Sequence, residues 1–106
     1  MNYDVLRELG PATSFVTDVL VTKWGSEVVV LCLYDPFGVR RPYQLLFRGC
    51  TDVQWEVTHP EDVTDSEADI IGFSIGVEDN RNLAVLHTDV FELLITYGSF
   101  TVRRNW

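Results

Sequence analysis

The chain is short of cysteine, of positive charge and of long apolar runs, and each shortage narrows what it can be. Only two cysteines, Cys32 and Cys50, occur in 106 residues. That is too few for the disulfide lattice of a small secreted scaffold. Cys32 lies inside an apolar run, where a free thiol behaves as a small hydrophobe. Both are expected to be reduced thiols of a cytoplasmic protein, with one Cys32–Cys50 disulfide as the alternative. The longest uninterrupted apolar run, Val28 to Tyr34, is far too short to span a bilayer. The opening MNYDVLRELG lacks the basic-then-apolar order of a secretory signal. No membrane attachment is expected.

Eight Lys and Arg stand against sixteen Asp and Glu, a formal net charge of −8. Such a surface repels phosphate backbones and anionic lipid, so nucleic acid and membranes are poor partners. A basic protein is the better match, and plain solubility is the competing explanation. The glycines form neither a GxGxxG turn nor a GxxxxGK[ST] loop, which excludes nucleotide binding in those two modes.

What is present is a globular balance: 46% hydrophobic, 12% aromatic and 23% charged residues. One domain spanning 1–106 is expected, large enough to bury a core without disulfides or metal. The first ten residues read as a short helix, capped by Asn2 and stopped by Gly10-Pro11. Its apolar stripe would be Val5, Leu6 and Leu9.

After Pro11 the period changes to two. Phe15 to Trp24 and Glu27 to Tyr34 are strand-like runs around Gly25-Ser26, which predicts a tight hairpin with Trp24 opposite Glu27. Asp35-Pro36-Phe37-Gly38 fits a type I turn. Tyr43 to Arg48 and Val53 to Thr58 follow, the second with Val53, Trp55 and Val57 inward. The polar stretch His59 to Ala68 reads as a loop with one helical turn near Thr64. Asp69 to Glu78 returns to strand, with Ile71, Phe73, Ile75 and Val77 on one face and Gly72 and Gly76 on the other suggesting a bulge or close backbone approach. Leu83 to Thr88, Val90 to Tyr97 and Phe100 to Arg104 complete the set, the last two forming a hairpin about Gly98-Ser99 with Tyr97 against Phe100. About eight short strands argue for an all-β fold, mainly antiparallel, as a sandwich or small barrel with a short N-terminal helix.

Several residues are candidates for a site. The run Glu27 to Tyr34 is apolar on both faces, which is usual for a strand covered on both sides. The N-terminal helix or a second copy of the chain, as a homodimer, would supply the second cover. Leu46 and Leu94 sit on otherwise polar faces and would extend an apolar patch. Trp24 at a hairpin corner and Trp106 at the last position are candidate binding anchors. Arg40-Arg41 and Arg103-Arg104 are the basic pairs; if they meet they make a small anion site.

Catalytic and metal chemistry have thinner support. His87 and Asp89 project to one strand face, and Cys50 in a turn could supply a thiol, but no signature surrounds it. Asp65-x-Glu67-x-Asp69 starts like a calcium loop, yet Ile70 and Gly76 stand where the turn glycine and closing glutamate belong. Cys32, Cys50, His59 and His87 match no short zinc spacing. No catalytic residue, metal or cofactor is assigned. The expectation is a small acidic cytoplasmic protein-interaction module, immunity-like, antitoxin-like or a scaffold. A small-molecule-binding β-barrel is the alternative, with a Cys/His hydrolase last.

Overall fold

The computed structural model describes residues 6, 9, 10, 12–59, 67–78 and 81–106. Eight strands form where the period-two runs lie: β1 (Ser14–Thr22), β2 (Glu27–Tyr34), β3 (Arg41–Arg48), β4 (Asp52–Val57), β5 (Ala68–Glu78), β6 (Arg81–Thr88), β7 (Phe91–Tyr97) and β8 (Ser99–Arg103). Every pairing is antiparallel. The all-β expectation therefore stands. The finer choice of sandwich or closed barrel gives way to one eight-stranded sheet of order β4-β7-β6-β5-β1-β2-β3-β8, which does not close.

Two halves of that sheet, β4-β7-β6-β5 and β1-β2-β3-β8, are joined, among the described residues, through two pairs, Phe15 with Asp69 and Val16 with Ala68. The halves fold onto each other over a shared core. Phe47 of β3 meets Phe73 of β5 at 6.4 Å between ring centroids and Tyr97 of β7 at 5.5 Å. Val28, Val30, Leu45, Leu93 and Ile95 fill the space between them and are essentially inaccessible. Alternation along β2 and β7 places these residues inward by the pleat alone.

The chain passes between halves at two adjacent corners. β3 continues into β4 through Gly49, whose φ of 66° suits glycine, and β7 continues into β8 through Gly98. The Gly98 N–H donates to the Arg48 carbonyl at 2.9 Å and the Thr51 N–H to the Thr96 carbonyl at 2.9 Å. Gly98-Ser99 is thus a corner and not the expected hairpin turn. β7 pairs with β6 and β4, whereas β8 pairs with β3. Bent strands that switch halves are a common way of turning such a corner.

The β1–β2 hairpin forms, but Thr22 and not Trp24 faces Glu27, leaving a four-residue loop instead of two. A bulge between Val16 and Asp18 adjusts the register further along. In β5 a second bulge falls between Ile70 and Gly72, at the first of the two glycines, while Gly76 pairs in regular register with Leu83. The bulge turns Ile71 out of the Phe73 face into solvent. The Asp35–Gly38 turn closes as expected, the Gly38 N–H donating to the Asp35 carbonyl at 3.0 Å. Val53, Trp55 and Val57 share the core-side face, paired with Ile95, Leu93 and Phe91. Because β4 ends the strand order, Trp55 and Val57 remain exposed, with Trp55 stacked 4.4 Å from Phe91.

The N-terminal helix finds no support. Residues 1–5, 7, 8 and 11 lie outside the described ones, as does the helical turn expected near Thr64. Leu6 and Leu9 pack on the inner core cluster and so do not supply a cover for the outer face of β2. Among the described residues no helix is long and apolar enough to cross a membrane.

Candidate functional site

Trp24 is fully exposed at the tip of the β1–β2 hairpin. Its φ of 62°, with 52° at Lys23 and 91° at Gly25, puts three successive residues in the left-handed region. For the two non-glycine residues this backbone costs free energy, and the surrounding bonds hold it. The Ser26 hydroxyl and N–H both donate to the Lys23 carbonyl, at 2.7 and 3.2 Å. The Cys50 N–H donates to the Ser26 carbonyl at 3.0 Å. Lys23 and Arg48 flank Glu27 at 3.3 and 3.8 Å. Behind the tip, Leu20 and Val21 are exposed on β1, whose pairing past Val16 is, among the described residues, with β2. The hairpin therefore presents an indole and two aliphatic side chains to solvent.

Trp106 is not an exposed anchor. Its Nε1–H donates to the Pro42 carbonyl at 2.7 Å and its ring stacks on Tyr34 at 5.5 Å. The Arg41 and Arg104 guanidiniums lie 5.2 and 4.9 Å from the same ring. One member of each basic pair is thus drawn together, with the indole between them. Arg40 instead donates from Nη1 to the Pro36 carbonyl at 2.7 Å, and Arg103 stands opposite Gln44 in the β3–β8 register. Beside this group lies an open cleft of about 760 Å³ whose lining includes Thr17, Leu31, Gln44, Val102, Arg103 and Arg104.

Leu46 and Leu94 do not combine. Leu46 lies among Val29 and Thr101 on the outer face of one half, and Leu94 among Gln54 and Val85 on the outer face of the other. Leu46 is only 4% exposed and Leu94 is half-buried.

Cys50, His87 and Asp89 are not brought together. His87 Nδ1 approaches Glu92 Oε2 at 3.5 Å, while Asp89 accepts the Asp69 N–H at 2.8 Å. Cys50 precedes Thr51, which bonds to Thr96; Glu92, the cross-strand neighbour of His87, is four residues further along β7, roughly 13 Å away at strand rise. Burial raises the Cys50 thiol above its ordinary value, against the activated thiolate that a nucleophile requires. Burial pushes Cys32 up to about 12 and raises the Tyr43 phenol strongly. Both cysteines are free thiols. Asp62 and Asp65 of the acidic stretch lie outside the described residues; among those described, no three His, Cys, Asp or Glu gather as metal ligands.

One property was hidden in the bulk charge. Segment 49–98 carries eleven carboxylates and a single arginine, whereas 14–48 and 99–106 together carry three carboxylates and six cationic side chains. Net charge averages these away. The partition is visible only once the topology assigns β1, β2, β3 and β8 to one half.

No family model and no curated protein matches the sequence. Among solved structures, the chain is similar to an uncharacterized protein from Neisseria gonorrhoeae, with a TM-score of 0.66 and 8% identity over 96% of each chain. At that identity the likeness is one of fold.

Proposed function

We propose that this chain is a protein-interaction module that docks a partner through the β1–β2 hairpin, with Trp24 as anchor. One observation carries the reading: a fully exposed tryptophan occupies a left-handed backbone position that glycine would fill at lower cost. Folding gains little from that indole, and binding surfaces use such side chains as anchors. Exposed Leu20 and Val21 supply apolar area beside it.

The acidic segment 49–98 gives the partner its chemistry. Eleven carboxylates against one arginine favour a basic protein through long-range steering. This is the behaviour of a protein that neutralises or scaffolds another, as immunity proteins and antitoxins do. The test is whether a polypeptide captured by this protein from its source cells is released when Trp24 is replaced by glycine. Retention by the variant contradicts the reading.

A further inference from the structure

We infer that the cleft beside β8 is a binding site for a small organic anion, a carboxylate or phosphate head carrying a short apolar body. The inference is independent of the hairpin reading, since the cleft lies at Leu31 and Cys32, four or five residues along β2 from Glu27 and so roughly 15 Å from the hairpin end of the strand.

The cleft's charge is the first support. On a chain with a twofold excess of acid, no carboxylate among the described residues lines this cleft, and two arginines do. Arg103 makes no ion pair among the described residues. Arg104 is held 4.9 Å over the Trp106 ring, and that ring is fixed by its bond to Pro42 and its stacking on Tyr34. An arginine oriented by a ring while its donors stay unneutralised is prepared for a planar or tetrahedral oxyanion. Asp18, which faces Leu31 in the register, turns its carboxylate to the Val19 N–H at 2.8 Å and does not line the cleft.

The remaining lining sets the ligand class. Leu31 shares a face with Gln44 and Arg103 and gives the cleft apolar surface, Val102 and Pro42 line it further, and Gln44 and Asn105 add polar groups. The β1 bulge turns Thr17 to the rim, where its hydroxyl donates to the Leu31 carbonyl at 3.2 Å. A cleft of about 760 Å³ lies in the size range of small-molecule sites, and a bare inorganic ion would leave most of it empty.

The test is an amide-shift NMR titration of the full chain with octanoate, octyl phosphate, octylammonium and inorganic phosphate. Octanoate and octyl phosphate are expected to shift Leu31, Gln44 and Val102 to Asn105 saturably, and octylammonium not to. Arg103→Gln, on an exposed strand position, is expected to weaken both anions at least fivefold at unchanged melting temperature. Arg104→Gln is the second variant, and Arg48→Gln, beside Glu27 and outside the cleft lining, the control without effect. Shifts unaltered by Arg103→Gln and Arg104→Gln, absence of saturation, or equal binding of inorganic phosphate and octyl phosphate would each overturn the inference.

Discussion

Gly49 and Gly98 lie back to back where both connections cross between the halves of the sheet. A Cβ built on Gly49 would stand 3.4 Å from the Gly98 Cα, and one on Gly98 would stand 3.3 Å from the Arg48 carbonyl oxygen. Gly49 also has positive φ. Gly49→Ala is therefore expected to lower stability by about 1–2 kcal/mol, the cost of left-handed backbone in an L-residue. Urea unfolding reads the effect, and Gly49→Asn should recover part of it.

Thr88 is wholly buried, and its hydroxyl closes the β6–β7 turn. It accepts the Val90 and Phe91 N–H groups at 3.1 and 3.0 Å and donates to the Phe91 carbonyl at 3.1 Å. Thr88→Val keeps the shape and leaves these groups unpaired. A loss of about 1–3 kcal/mol is expected, measured as a fall in urea midpoint at constant slope.

Cys32 and Tyr43 make the fold sensitive to alkali. Both are neutral when protonated, and burial raises both in the folded chain, Cys32 from 9.0 to about 12. The unfolded chain thus releases these protons first. Their contribution is complete below pH 9 and is lost as pH climbs towards 12, at about 1.4 kcal/mol per pH unit for Cys32 alone. Cys32→Val should flatten the decline of the urea midpoint between pH 9 and 11. Tyr43→Phe should flatten it above pH 10.

Trp24 separates stability from binding. Trp24→Gly relieves a left-handed residue whose side chain touches solvent, so a gain of about 0.5–1 kcal/mol is expected by thermal melting. Trp24→Ala keeps the strain and should lie within about 0.5 kcal/mol of the natural protein.

Strands were legible because alternation survives at single-residue resolution: Val53, Trp55 and Val57 do share a face. Alternation fails to say how far that face is buried, because exposure of Trp55 follows from β4 ending the sheet. It is also blind to a register shift of two, which leaves every side chain on its own face; the β1–β2 hairpin differs from expectation by that amount. Gly98-Ser99 reads the same as a hairpin or as a corner, and only the pairing of β8 with β3 distinguishes them. The basic pairs were visible as candidates. Their meeting depends on Trp106 reaching the Pro42 carbonyl, 64 residues away in sequence, which no local pattern encodes.

Native mass spectrometry of the tagged protein and its Trp24→Gly variant, each drawn gently from source-cell lysate, tests the central claim most directly. The account predicts a specific polypeptide on the natural protein, absent from the more stable variant and shed as salt is raised. The same polypeptides on both proteins, or both proteins bare, would contradict it.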